Sequence, residues 1–211
     1  MLYRNMTTEE KLQLARKRNI YTEYELNVLW RSFLQNLDKF TINKNKQLRH
    51  IAGSKEFTFF DDRSKLEGKA GYSFFFPDFN IHAELPQLIG TGILEFENGI
   101  PKRETVKCSC NVGLGGREKL VTTNVLSIRY SSTGIHAFPV HPNVYDDIVK
   151  KLKKKNRQAR FTASCRSVLV GFFYNIHSFL KKVKKGLKSR ILKQLFPFIL
   201  AVKIFIQINH I

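Results

Sequence analysis

The first 40 residues carry the apolar spacing of amphipathic helices. Two pairs, Thr7 with Glu10 and Thr22 with Glu25, are spaced as capping boxes, in which the hydroxyl caps a backbone amide and the carboxylate reaches back. After the second box, apolar residues recur at steps of three and four and form one stripe: Leu26, Leu29, Trp30, Phe33, Leu34 and Leu37. The pattern predicts two helices that begin at these boxes and pack against a neighbour.

The next 30 residues are more polar. The run from Asn43 to Ile51 predicts a short basic helix, which Gly53 ends. Residues 61–71 combine many charges with Gly68 and Gly71, and this composition predicts a loop.

From Gly71 onward the pattern is that of short strands. Four stretches are rich in β-branched and aromatic residues and are bounded by turn-forming residues: 72–76, 105–112, 120–130 and 135–140. Ser127 and Arg129 alternate with Leu126 and Ile128, which is typical of an antiparallel strand with one buried and one open, polar face. Residues 131–134 read as a turn between the last two strands. Helices followed by strands predict an α+β fold.

Charge is distributed unevenly along the 211 residues. Residues 1–149 contain all 17 acidic residues and 20 of the 36 basic ones, whereas residues 150–211 contain 16 basic residues and no acid. A near-neutral body with a cationic tail predicts an acidic partner for the tail, either nucleic acid or an anionic membrane surface. The apolar spacing within 180–196 fits an amphipathic helix on a membrane, a nucleic-acid arm, or an extension without a role of its own.

Composition excludes several other classes. A hydrophobic content of 43% is enough for a core and argues against collagen and wholesale disorder. The chain has three cysteines, an odd number, and no CxxC pair: Cys108, Cys110 and Cys165. We therefore expect reduced thiols and neither a disulfide scaffold nor a zinc ribbon. The six histidines have no metal-ligand spacing, and we expect no metal or other cofactor. The charged N-terminus predicts no signal peptide, and no apolar run predicts a membrane span.

The first candidate site lies on the basic helix. Lys46 and His50 are four residues apart and share a helix face, with Arg49 one step around the helix. Two neighbouring cations favour the neutral imidazole, which can accept a proton as a general base. The competing interpretation is a surface histidine among solvated cations. Gln47 is a candidate for a further hydrogen bond to ribose.

The second candidate site spans the predicted hairpin. His136 follows the turn, and Arg129 projects from the polar face of the preceding strand. Two histidines and a cation suit RNA cleavage without a metal. One histidine takes the proton of a ribose 2′-hydroxyl, the other protonates the leaving 5′-oxygen, and the cation offsets the charge on the phosphorane. The competing interpretation is that His136 is an ordinary strand residue.

Four blocks follow one another within residues 42–142: Ile42 to Ser54 with its Lys46 and His50; Gly90-Thr91-Gly92 after the Leu-rich helix 84–89; Arg103-Glu104 to Gly113; and Thr123 to Pro139. In this order they resemble the polymorphic toxin type 50 domain, a bacterial toxin module of contact-dependent inhibition systems that also occurs in phage head-associated proteins.

The resemblance implies a barnase–EndoU–colicin–RelE type of fold, with one or two helices packed on a four-stranded antiparallel sheet. It implies metal-independent RNA cleavage on the open face of that sheet, with His50 and His136 as the proton-transfer pair and a further catalytic role at position 129. The other implied contacts of RNA or phosphate are the side chains of Lys46, Arg49, Thr91, Tyr130 and Ser131. The substrate would be RNA, with tRNA as one candidate, and the producing cell would need an acidic immunity protein.

The chain also departs from the family. Arg129 replaces a frequent histidine, Ser132 and Thr133 replace frequent lysines, and Ser54 replaces a threonine. A catalytically degenerate protein that binds nucleic acid or serves a phage structure is therefore an alternative, as is membrane binding through the tail.

We accordingly expect an N-terminal helical lead (1–40), a toxin-like ribonuclease domain (41–145) and a basic, partly helical C-terminal extension (146–211). The expected site of action is the cytoplasm, after secretion or delivery into a target cell.

Overall fold

The computed structural model of the chain describes residues 6–116 and 118–158. Its helices are α1 (Thr8–Lys17), α2 (Arg31–Leu34, which continues a π-helical segment Glu25–Trp30), α3 (Lys44–Leu48), α4 (Lys55–Leu66), α5 (Ile81–Leu88) and α6 (residues 143–158). A 3₁₀ turn covers Leu37–Lys39. The strands are β1 (Phe74–Phe75), β2 (Ile93–Glu97), β3 (Ile100–Lys107), β4 (Gly113–Gly115), β5 (Val121–Thr123), β6 (Val125–Arg129) and β7 (His136–Pro139).

Both predicted capping boxes start a helix. The hydroxyl of Thr7 accepts from the amide of Glu10, and the Glu10 carboxylate accepts from the amide of Thr7 at 2.7 Å. Thr22 and Glu25 repeat this exchange at 3.1 and 2.8 Å. These contacts satisfy amides that have no partner inside the helix.

The predicted α+β fold is confirmed, but the strands are distributed differently. A four-stranded antiparallel sheet has the order β2-β3-β6-β7, and a second sheet has the order β1-β4-β5. The stretch 72–76 therefore contributes to the second sheet, and β2, which was not predicted, takes the edge of the first. Asn98 and Gly99 join β2 to β3 with φ of 51° and 78°, as a tight hairpin requires.

The loop predicted for residues 61–71 is wrong for its first half, because α4 extends to Leu66. Ser54 caps α4 by accepting from the amide of Phe57 at 2.9 Å. The charges that indicated a loop are spaced four residues apart, and Lys65 pairs with Asp61 at 2.6 Å. Such pairs support a helix, so spacing was a better guide here than charge density.

The four-stranded sheet has two unlike faces, which its register defines. The residues Leu94, Glu104, Ile128 and Ala137 are cross-strand neighbours on what we call the packed face. The next row along the strands points the other way, onto what we call the cleft face, and consists of Glu95, Arg103, Arg129 and His136. A second row on the cleft face consists of Ile93, Thr105, Ser127 and Phe138.

One cluster of buried apolar residues joins the N-terminal helices to the sheet. Leu12 and Trp30, both 0% exposed, belong to the same cluster as Leu94, Val106 and Leu126. The boundary predicted at residue 40 therefore does not separate two hydrophobic cores. The N-terminal helices help to form the body that carries the candidate site.

Most of the predicted basic extension, from residue 159 onward, lies outside the described residues. Residues 143–158, at its start, are helical. Within the described ranges, no helix combines the length and apolar character needed to cross a membrane.

Candidate active site

Helix α3 is attached to the free edge of β7 by a buried side chain. Gln47 is 0% exposed. Its amide group donates to the carbonyl of Ala137 at 2.9 Å and accepts from the amide of Ala137 at 2.8 Å, much as a neighbouring strand would. Because both ends of this amide are occupied, Gln47 is not available to bind ribose, and it holds His50 beside β7 instead.

The hairpin turn before β7 is attached to the same helix. Asn43 caps α3 by accepting from the amide of Lys46, and it donates to the carbonyl of Thr133 at 3.0 Å. Gly134 has φ of 108°, and a β-carbon there would lie 2.6 Å from the carbonyl oxygen of Thr41. Only glycine allows the turn this close to the chain that leads into α3. The turn therefore brings His136 alongside α3.

The structure brings the two candidate histidines together. The ring centroids of His50 and His136 are 6.2 Å apart, with 12° between the ring planes. Phe138 contacts both rings, with centroid distances of 5.0 Å to His50 and 5.8 Å to His136. Residues separated by 86 positions in the chain thus form one cluster because α3 and β7 lie side by side.

The surroundings of His50 select one tautomer of its neutral ring. His50 is 4% exposed and stacks on Tyr72 with centroids 4.8 Å apart. Its Nδ1 lies 2.8 Å from the carbonyl oxygen of Ser73. A carbonyl can only accept, so Nδ1 carries the hydrogen and Nε2 keeps the lone pair. Nε2 is therefore the atom of His50 that can take a proton.

Both histidines favour the neutral form. Burial lowers the pKa of His50 to about 4, with further lowering by the charges of His136 and Arg49. Burial also lowers the pKa of His136 to about 4, assisted by Lys46, Arg49 and Arg129. An anion bound among these groups would raise both pKa values. The pair can thus change protonation when a phosphate arrives.

The cations around the pair come from both sides of β7. Lys46 donates to the hydroxyls of Thr133 at 3.1 Å and Ser131 at 3.5 Å, so these turn hydroxyls orient its ammonium group. The guanidinium of Arg49 lies over the ring of Phe60, 4.4 Å from the centroid. Arg129 is the cross-strand neighbour of His136. This cation-rich surrounding suits an anionic substrate.

A cleft of about 1320 Å³ opens over the cleft face. Its lining includes the predicted His50, His136 and Arg129, together with side chains that the sequence did not single out: Tyr72, Arg103, Ser127, Phe138 and His141. The aromatic rings in this group are a natural surface for stacking of bases.

None of the five side chains predicted to contact RNA or phosphate lines the cleft itself: Lys46, Arg49, Thr91, Tyr130 and Ser131. Lys46, Arg49 and Ser131 lie beside it, whereas Thr91 and Tyr130 are held by partners within the protein. Thr91 is 1% exposed, and its hydroxyl donates to the carbonyl of Leu88 at 2.6 Å. The hydroxyl of Tyr130 donates to the Glu104 carboxylate at 2.7 Å. Since both hydroxyls are engaged by protein partners, the structure removes them from the candidate site.

Glu104 is the centre of a polar network on the packed face that the sequence analysis missed. Its carboxylate accepts from the amides of Gly90 at 3.0 Å and Gly92 at 2.5 Å, in addition to Tyr130. Arg18 donates to the carbonyl of Gly92 at 2.6 Å and also to that of Thr91. Burial raises the pKa of Glu104, and these hydrogen bonds oppose the rise. The Gly-Thr-Gly motif therefore has a structural role.

In the part of the chain that the structure describes, no three His, Cys, Asp or Glu side chains are grouped to hold a metal ion. Comparisons of the chain with family models, curated proteins and solved structures found no match.

Proposed function

We propose that the protein is a metal-independent endoribonuclease of the toxin type. The observation that carries the proposal is the 6.2 Å separation of the His50 and His136 rings within a cleft that Arg129 also lines. Cleavage by a 2′-hydroxyl needs two proton-transfer groups that flank one phosphate, and a cation beside it. These three side chains supply that set.

In the proposed reaction, Nε2 of His50 takes the proton of the 2′-hydroxyl while the 2′-oxygen attacks phosphorus. The bond from phosphorus to the 5′-oxygen breaks, and protonated His136 gives its proton to that oxygen. The products are a 2′,3′-cyclic phosphate and a 5′-hydroxyl. Lys46 and Arg129 offset the negative charge on the phosphorane. The same negative charge favours the protonated form of His136 that the acid step needs.

The resemblance to polymorphic toxin domains supports the finer parts of the proposal. These parts are a barnase-like arrangement of the fold, RNA as the substrate with tRNA as one candidate, action in the cytoplasm of a target cell, and an acidic immunity protein. The cation-rich surroundings of the histidine pair, with Lys46, Arg49 and Arg129 acting on His136, are the kind of surface that an acidic inhibitor would cover.

The test is cleavage of total RNA by the full chain in the presence of EDTA. Wild-type protein should cleave, and His50→Ala and His136→Ala should each lose at least about 100-fold in rate, the usual contribution of general acid–base catalysis. His82→Ala, at an exposed position on α5, is the matched control and should cleave like wild type. Full activity in both cleft variants would remove the mechanism.

A second candidate is nucleic-acid binding without cleavage. The burial of His50, which is 4% exposed and stacked on Tyr72 and Phe138, favours it because a substrate has little direct access to that ring. Binding that weakens steeply with salt, with no cleavage between pH 4.5 and pH 8 (about the range over which histidines titrate), would select this candidate.

A further inference from the structure

Several buried polar atoms on the cleft face have no hydrogen-bond partner. Of the six such side-chain atoms in residues 6–116 and 118–158, four belong to this face: Arg103 Nε, Thr105 Oγ1, Ser127 Oγ and His136 Nδ1. Thr105 is 0% and Ser127 is 2% exposed. A buried polar group without a partner is costly, and native proteins keep few of them. Their concentration on one face indicates a ligand that completes them.

The register makes these atoms neighbours. Thr105 lies opposite Ser127, and Ser127 lies opposite Phe138. Arg103 lies opposite Arg129, which lies opposite His136. Adjacent strands are about 5 Å apart, so the hydroxyls of Thr105 and Ser127 are neighbours, and Ser127 lies one strand away from His136. Arg103 and Thr105 lie one strand further away, on β3. Ser127 and Arg103 line the cleft, and Thr105 is their fully buried neighbour.

The chemistry of these three side chains does not favour a phosphate. The guanidinium of Arg103 is already paired with both carboxylate oxygens of Glu95, at 2.7 and 2.8 Å, so its charge is offset. The two hydroxyls can each donate and accept. Phe138, in the same row, presents an aromatic ring. Lys46 and Arg49, which suit a phosphate, come from α3 at the opposite side of β7.

From this arrangement we infer that Ser127, Thr105 and Arg103 form a subsite for a nucleobase next to the scissile phosphate, and that they determine which base is accepted. This inference rests on the proposed function. The edge of a base carries both donors and acceptors, which the hydroxyls match, and the face of a base can lie against Phe138. The phosphate of the same nucleotide would lie between the histidine pair and Lys46.

The test uses ligands that the protein cannot cleave. NMR titration of the full chain with the four 2′-deoxynucleoside 3′-monophosphates, and with inorganic phosphate as reference, gives a Kd for each. One nucleotide should bind at least about tenfold tighter than phosphate, and Ser127→Ala and Thr105→Val should each reduce that advantage at least about threefold, as expected for loss of one hydrogen bond. Ser132→Ala, the same change at an exposed turn hydroxyl, should leave it unchanged.

Equal affinity for the four nucleotides, or a base preference that survives in both variants, would overturn the inference. Thermal melting of each variant shows whether it is folded, so a loss of preference cannot be confused with unfolding. The result is separable from the proposed function because no bond is cleaved. If a base preference depends on Ser127 but RNA stays intact, the cleavage mechanism fails and the base subsite stands.

Discussion

On the packed face of the four-stranded sheet, the buried carboxylate of Glu104 accepts from Gly90, Gly92 and Tyr130. The cleft face is formed by the neighbouring positions of the same strands, and there Arg103, Thr105, Ser127 and His136 each keep a buried polar atom without a partner. Both faces belong to the same four strands, and each contains buried polar side chains. What separates them is whether the polar atoms are satisfied, and this difference identifies the cleft face as the place for a ligand.

The largest expected effect is on the pH dependence of RNA cleavage in the cleft. The mechanism needs neutral His50 together with protonated His136, and the pKa of each is about 4. The fraction of protein in that state rises about 250-fold from pH 7.5 to pH 5, so kcat/KM for RNA cleavage should rise by about the same factor. Initial rates on a short RNA across this range test it. A kcat/KM that is constant, or that increases above pH 7, would contradict the assignment of His136 as the acid.

On the packed face, removal of the Glu104 carboxylate should lower the free energy of unfolding substantially. Glu104→Ala leaves the amides of Gly90 and Gly92 without an acceptor and removes the negative charge near Arg18, so the free energy of unfolding should fall by about 3–5 kcal/mol. Glu97→Ala, in an exposed ion pair with Lys102, is the control and should change it by less than about 1 kcal/mol. Urea denaturation measures both. Equal effects of the two substitutions would show that Glu104 is not the centre of a network.

Stability itself should depend on pH through the buried His50. Its pKa is about 4 in the folded chain against an ordinary 6.5, so between these values the unfolded chain binds more protons. The free energy of unfolding therefore falls as the pH falls through this window, by up to about 3 kcal/mol from this residue. Denaturation at pH 7 and pH 4.5 in wild type and His50→Phe tests it. If the free energy of unfolding changes equally between pH 7 and pH 4.5 in the two proteins, His50 is not the residue responsible.

The smallest expected effect is a gain in the free energy of unfolding. Thr105→Val and Ser127→Ala each remove a buried hydroxyl that has no partner, so each should raise the free energy of unfolding by about 1 kcal/mol. Ser132→Ala, at an exposed turn position, should change it by less than about 0.5 kcal/mol. Destabilisation by both cleft substitutions would mean that the hydroxyls have partners within the protein, and the contrast between the two faces would disappear.

Local signals in the sequence predicted the local parts of the fold. The capping residues Thr7 and Thr22 start helices, Asn43 starts α3, and the turn before His136 forms as expected. Asn98-Gly99 is an equally local hairpin signal, but the residues around it include few β-branched side chains, so β-propensity alone predicts a strand only from Thr105 onward. The second half of α4 is indicated by the four-residue spacing of its charges and not by their density.

The sequence predicted the residues of the candidate site only where the side chain itself carries a charge or can transfer a proton. His50 on the predicted helix, and Arg129 and His136 on the predicted hairpin, stand out because imidazole transfers protons and guanidinium offsets negative charge. Whether a hydroxyl is free depends on tertiary partners, so nothing in the sequence distinguishes Tyr130, which bonds Glu104, from Ser127, which has no partner. For the same reason the role of Gln47 as an attachment of α3 to β7 could not be foreseen.

The most direct test of the histidine pair uses a DNA oligonucleotide with a single ribonucleotide, incubated with the full chain in EDTA. We expect one cut, 3′ to the ribonucleotide, that leaves a 2′,3′-cyclic phosphate and a 5′-hydroxyl. The cut should be absent when that one 2′-hydroxyl is replaced by hydrogen. Cleavage at deoxynucleotides, a product with a 3′-hydroxyl, or an intact oligonucleotide would contradict it.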